Sequence, residues 1–277
     1  MTLRFTILGC GSSGGVPRPG SGWGECDPAN PKNRRRRCSL LIERVGRKGV
    51  TRVLVDTGPD LREQLLSAGV QHLDGVVLTH EHADHTHGID DLRPVVLHMR
   101  RTVDVHMDAV TSAVMLNRFR YIFESLPGSD YPPIAIRREI ETGRAFTVTG
   151  DGGPIDIMPI RVTHGAIDSL ALKVERIAYL PDVSAIPVPA QAAFEGLELW
   201  ILDALRHRAH PSHFSLSEAL EWIGRMKPKQ AILTNLHTDL DHGWLEANLP
   251  AGVKPAHDGM TLEWDQDRLR IREIRLG

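Results

Sequence analysis

Residues 76–85 read Val-Val-Leu-Thr-His-Glu-His-Ala-Asp-His, an apolar strand-like run that ends in three imidazoles and one carboxylate within six residues. In an extended chain, residues two apart face the same side, so His80 and His82 point toward one ion. The turn after them presents Asp84 and His85 to a second ion close by. The order H-x-H-x-D-H behind a buried strand is a specific pattern. It commits the chain to a fold in which a core strand ends in a metal-binding turn.

Composition supports that chemistry and removes others. The chain carries 14 His beside only 3 Cys, a balance that favours imidazole ligation over a disulfide framework. Cys10, Cys26 and Cys38 form no C-x-x-C pair and read as reduced thiols, with a structural zinc on two of them and a distant His left open at this point. Hydrophobic residues at 41% and charged residues at 25% exclude disordered, collagen-like and coiled-coil chains. The net charge of −2 advertises neither a nucleic-acid nor a membrane surface, so any phosphate affinity must be local. The first residues are too short an apolar run for a secretory signal, and no stretch reaches the ~18 apolar residues of a membrane span, which makes the cytoplasm the expected location.

Strand-like runs recur at residues 3–8, 39–43, 52–55, 75–79, 103–107, 155–162, 169–174, 199–202, 231–233 and 268–274. Helical patterns fall between them, over 59–68 and 215–226, the latter opening with the capping box Ser215-Leu216-Ser217-Glu218. This interleaving over residues 1–277 predicts one α/β or α+β domain, with long surface loops at 14–31 and 126–133.

The histidine segment resembles the metal-binding motif of the metallo-β-lactamase fold, a four-layer αββα sandwich. Other positions follow that family's order: Asp56 in Leu54-Val55-Asp56-Thr57-Gly58, His164 in Thr163-His164-Gly165, Asp182 in Tyr179-Leu180-Pro181-Asp182, and His237 in Thr234-Asn235-Leu236-His237. The resemblance implies that His80, His82 and His164 hold one ion and that Asp84, His85 and His237 hold a second, with Asp182 and a hydroxide between them; Asp56 is structural. Nitrogen and oxygen ligands suit zinc, manganese or iron, and two divalent ions, Zn or Mn, are the expected cofactors.

His82 stands where flavodiiron-type members need a carboxylate, which disfavours an oxidoreductase. The segment His207-Arg208-Ala209-His210-Pro211-Ser212-His213-Phe214 resembles the region where RNase Z-like and PhnP-like phosphodiesterases place a catalytic His before a helix. His213 is therefore expected to protonate the leaving alkoxide, with a nearby carboxylate or the substrate phosphate offsetting the helix N-terminus, which disfavours imidazolium. The loop Gly9-Cys10-Gly11-Ser12-Ser13-Gly14-Gly15-Val16-Pro17-Arg18 and the ending Ala256-His257-Asp258-Gly259-Met260 resemble the PhnP-like family. Ser12, Ser13, Arg18 and Arg34 are expected substrate contacts, the last as part of a phosphate clamp built on the basic run Lys32-Asn33-Arg34-Arg35-Arg36-Arg37.

Two departures stand out. Cys26 is alone where PhnP-like members carry a structural zinc on closely spaced cysteines, and no Gly/Pro-rich basic arm of the RNase Z kind lies between the ligands. The expectation is a phosphodiesterase acting through a dinuclear metal-bound hydroxide on small cyclic or nucleotide-like phosphate esters, not on large RNA and not at a membrane. A homodimer stays open. The rival readings are a hydrolase of another ester class, thioester or lactam, and a non-hydrolytic metabolite binder resembling the quinone-cofactor protein PqqB.

Overall fold

The alternating and β-branched runs form two sheets. The structure, a computed structural model, describes residues 2–125, 127–128, 130–265 and 268–273. Its strands are β1 (Thr2–Gly9), β2 (Ser39–Val45), β3 (Val50–Val55), β4 (Gly75–Val77), β5 (Val103–Met107), β6 (Ala135–Glu139), β7 (Phe146–Val148), β8 (Ile155–His164), β9 (Ile167–Val174), β10 (Ile177–Leu180), β11 (Leu199–Asp203), β12 (Gln230–Thr234), β13 (Val253–Pro255), β14 (Met260–Asp265) and β15 (Arg268–Glu273). The first sheet runs β15-β14-β1-β2-β3-β4-β5-β6 and the second β13-β12-β11-β10-β9-β8-β7. Helices α1 (Leu61–Ser67), α2 (Ala83–Thr86), α3 (Arg93–Met99), α4 (Ala109–Phe123), α5 (Val188–Gln191), α6 (Leu216–Met226) and α7 (His242–Asn248) connect them.

Side-chain alternation assigns the central strands to two cores at once. Phe5, Ile7, Ile42 and Val55 of the first sheet meet Leu170, Leu172, Ile201 and Ile232 of the second in the central core. Their neighbours Leu8, Leu41 and Leu54 turn outward onto Leu61, Leu65 and Val96 of α1 and α3. On the far side Trp200, Leu202 and Leu233 turn onto Leu216, Ala219 and Leu245 of α6 and α7. Both faces of each sheet are covered, which is why the central strands read as near-continuous apolar runs. The result is the four-layer αββα arrangement of the metallo-β-lactamase fold.

Strand direction gathers the site. β3 and β4 are parallel in the first sheet, and β10, β11 and β12 are parallel in the second. Asp56, Asp182 and Asn235 follow the ends of β3, β10 and β12, and Asp203 is the last residue of β11. Ligands bind outside the carboxyl ends of parallel strands because those ends are where the chain leaves the core.

Several expectations need adjusting. The helix expected over 59–68 begins at Leu61, with Asp60 in the N-cap position. Helices α2, α3, α4, α5 and α7 and the strands β6, β7, β10, β13 and β14 add to the elements read from sequence. Of the strand expected over 268–274, residue 274 lies outside the described residues, as do 126 and 129 of the loop 126–133. The loop 14–31 is tied down: Val16 pairs with Arg35, Glu25 N donates to Thr238 O at 2.8 Å, and Cys26 is buried. Among the described residues no helix is long and apolar enough to cross a membrane.

Candidate metal centre

Buried β4 continues through Leu78 and Thr79 and delivers His80 into the interior, fully buried. Asp56 turns back at the end of β3 with φ 63° and accepts from Thr79 N at 2.8 Å, from Thr79 Oγ1 at 3.0 Å and from His85 Nδ1 at 2.7 Å. That last bond commits Nδ1 of His85 and turns its Nε2 toward the carboxylates of Asp84 and Asp182 at the centre. Thr79 Oγ1, already donating to Asp56, lies 3.0 Å from His80 Nδ1 and accepts its proton, so Nε2 of His80 also carries a lone pair inward. His164 closes β8 and donates from Nδ1 to Ser212 O at 2.5 Å. Gly165 allows that approach: its φ is +62°, and a Cβ there would lie 2.7 Å from Ser212 Cβ.

These groups converge on Asp182. Its Oδ2 lies 3.5 Å from His80 Nε2 and 3.4 Å from His164 Nε2, while its Oδ1 lies 3.4 Å from His85 Nε2. His82 Nδ1 is 3.2 Å from His164 Nε2, and Asp84 Oδ2 is 3.5 Å from His85 Nε2. One ligand atom from each of His80, His82, His164 and Asp182 lies within 4.8 Å of the others. His80 Nε2 is buried with no hydrogen-bond partner among the described residues. An orphaned buried lone pair costs about 1–3 kcal/mol, and a divalent cation among imidazole nitrogens and carboxylate oxygen satisfies it. Burial, aided by His85, pushes His80 well below its ordinary pKa, so the ring is neutral as a ligand must be. Burial works against an ionised Asp182, yet the His85 imidazole beside it holds its carboxyl well below the usual range.

Beside this cluster stands a second pair. His213 Nδ1 lies 2.9 Å from Asp203 Oδ2, and its ring sits 4.6 Å from that of His164. Ser215, two residues on, caps α6 and anchors the segment. Asp203 is fully buried and also accepts from Val183 N at 3.0 Å and Asn235 Nδ2 at 3.1 Å. Burial pushes Asp203 up to about 7 against the pull of His213. Burial pushes His213 down, but Asp203 outweighs it and raises the imidazole to about 9. Three N–H groups point at the Asp203 carboxylate, so the proton of the pair belongs on His213.

His237 is not brought into the cluster. Arg18 Nη1 donates to its Nε2 at 2.5 Å, while its Nδ1 faces Thr238 Oγ1 at 3.2 Å and Asp239 Oδ1 at 3.4 Å. The residue after β12 that does reach the centre is Asn235, at φ 61°, with Nδ2 3.2 Å from Asp182 Oδ1. The basic run does not form a clamp either. Arg35 is buried against Leu240 O and His237 O, Arg36 pairs with Asp258 and Arg37 with Asp60, because the loops they cross need internal donors. Exposed Arg34 lies over the Trp23 ring at 5.4 Å. Ser12 is buried with its Oγ unpartnered among the described residues, and Ser13 is exposed. Asp203 and Asn235 escaped the sequence reading, although each follows an apolar strand run as Asp56 and Asp182 do.

Residues 51–235 match the sequence pattern of the beta-lactamase superfamily domain. A crystal structure described as a new diphosphatase from the PhnP family superposes with a TM-score of 0.85 at 33% sequence identity, covering 95% of this chain and 98% of that one. A Porphyromonas gingivalis protein named octanoyltransferase is 32% identical over 277 residues, 98% of this chain and 54% of that protein. A Bradyrhizobium diazoefficiens protein named ribonuclease Z is 30% identical over 169 residues, 57% of this chain and 52% of that protein. The chain spans about half the length of these two curated relatives, and the activities in their names are those of the whole proteins.

Proposed function

The chain belongs to the beta-lactamase superfamily and, within it, to the PhnP family, and from that premise we propose that it is a metal-dependent phosphodiesterase acting on small cyclic or nucleotide-like phosphate esters. His80, His82, His164 and Asp182 would hold one divalent ion, zinc or manganese, and Asp84, His85 and Asp182 would hold another. Ions so held supply Lewis acidity toward a phosphoryl oxygen and a water of lowered pKa.

The observation that carries the reading is the pair of buried Asp203 and half-buried His213 next to the ligands. With Nδ1 committed to Asp203, the other ring nitrogen of His213 keeps a proton to give. A phosphodiester expels an alkoxide, a strong base that needs that proton as the P–O bond breaks. Asp203 orients the ring and stabilises its charge. Asn235 Nδ2 bridges Asp203 and Asp182 and lies 3.1 Å from His213 Nδ1.

The test pairs two substrates. His213→Ala should lower turnover of an alkyl or cyclic phosphodiester by about 10²–10⁴ and that of bis-p-nitrophenyl phosphate by much less, since p-nitrophenolate leaves without help. Chelator or Asp182→Asn should abolish both. Full activity of either treated protein overturns the proposal. So does faster cleavage of a diphosphate, a thioester, an acyl ester or a lactam than of any phosphodiester. The diphosphate arm is included because the structural relative is described as a diphosphatase.

A further inference from the structure

The two metal positions are not built alike. At the first, nitrogens of His80, His82 and His164 and the Oδ2 oxygen of Asp182 surround one point, with the far nitrogens of His80 and His164 bonded to Thr79 Oγ1 and Ser212 O. At the second, the protein offers Asp84 Oδ2 and His85 Nε2, 3.5 Å apart, and Asp182 Oδ1, 3.4 Å from the His85 nitrogen. The next group beside that Asp182 oxygen is the Asn235 carboxamide at 3.2 Å, and it faces the oxygen with its nitrogen.

Three acceptors settle which end of that amide points where. Asn235 Nδ2 lies 3.1 Å from Pro181 O, 3.2 Å from Asp182 Oδ1 and 3.1 Å from Asp203 Oδ1, and 3.1 Å from His213 Nδ1, whose own proton is directed at Asp203. A flipped amide would set its oxygen against three others, so the hydrogen-bond network selects the N–H orientation. An amide N–H is no metal ligand, and it competes for the Asp182 lone pairs that the second ion would use. His237, the other nitrogen source after β12, has both ring nitrogens engaged by Arg18, Thr238 and Asp239.

We infer that the chain retains one divalent ion at His80, His82, His164 and Asp182 and holds the second, at Asp84, His85 and Asp182, weakly enough to exchange, because Asn235 presents a donor where a ligand would complete the site. The inference uses the metal residues of the functional proposal but not its reaction. Its test reads bound metal, so a protein that cleaves no phosphodiester can still confirm it, and an active one can still refute it.

The full chain is stripped with chelator and titrated with Zn²⁺ by calorimetry, and metal content is measured after dialysis against metal-free buffer. The expected result is about one retained equivalent and a second that binds at least about tenfold more weakly, the scale on which a missing supporting group acts. Asp84→Asn should remove only the weak equivalent, and His164→Ala the tight one. Asn235→His should tighten the second equivalent by about 10–100-fold and leave the first unchanged. Two equivalents of equal affinity in the unmodified chain, or loss of the tight equivalent in Asp84→Asn, overturns the inference. Should Asn235→His not fold, the unmodified chain and Asp84→Asn still decide it.

Discussion

His213 sits where an imidazolium ought to be disfavoured, two residues ahead of the Ser215 cap, at the positive end of α6. Buried Asp203 at 2.9 Å reverses that preference and raises the imidazole to about 9. The offsetting carboxylate expected from sequence is thus a residue of β11, ten positions earlier in the chain. The sign of the consequence follows from the role. A proton donor works while protonated, so turnover of an alkyl phosphodiester should hold through neutral pH and fall as pH rises through about 9. Asp203→Asn should lower turnover and move that alkaline limb down toward the ordinary histidine value of about 6.5. A pH–rate profile with an unmoved limb would remove Asp203 from the proposal. His213 was legible because its spacing from a capping Ser is local. Its pairing with Asp203 was not, since it depends on how the loop after β11 folds back, with Leu205 N donating to Phe214 O and Leu216 N to Arg206 O, both at 2.9 Å.

Among the elements, α6 was the most readable and α4 the least. Ser215 Oγ accepts from Glu218 N, and the Glu218 carboxylate accepts from Ser215 N at 2.8 Å, the reciprocal box that S-L-S-E announces. Ser215→Ala should cost about 1 kcal/mol, within a range of about 0.5–2, read as a lower urea midpoint with an unchanged slope. An unchanged midpoint would mean that the cap adds nothing to the helix. Helix α4 buries Thr111, Ser112, Met115 and Ile122 and is broken in conformation at Phe119, where φ is −133°. Polar residues on the buried side and a kink blur the apolar stripe on which helix recognition depends. The short edge strands β7 and β13, three residues each, carry too few positions to show alternation at all.

At the scale of the whole molecule, the residues that could hold an ion join the two sheets: His80 and His82 follow β4 of the first, and His164 and Asp182 end β8 and follow β10 of the second. An ion held by all four cross-links both layers in the folded state alone, so metal binding should appear as stability. Zinc or manganese at about a hundredfold excess over its dissociation constant adds about 2.7 kcal/mol, or about 5–10 °C in melting temperature for a chain of this size. Chelator should reverse the shift, and His80→Ala should abolish it. A melting temperature indifferent to metal and chelator would deny the folded state a bound ion. Sequence by itself determined the strand–turn that carries His80, His82, Asp84 and His85 and the capped helix after His213, because each is written in local spacing or periodicity; the places of His164 and Asp182 rested on the family resemblance. Tertiary structure alone decided that Arg35, Arg36 and Arg37 serve internal contacts, that Asp203 partners His213, and that Asn235 rather than His237 lies against Asp182. Those outcomes depend on which strand ends meet and which lone pairs are already taken. Two residues along one loop separate Asn235 at the centre from His237 at the rim.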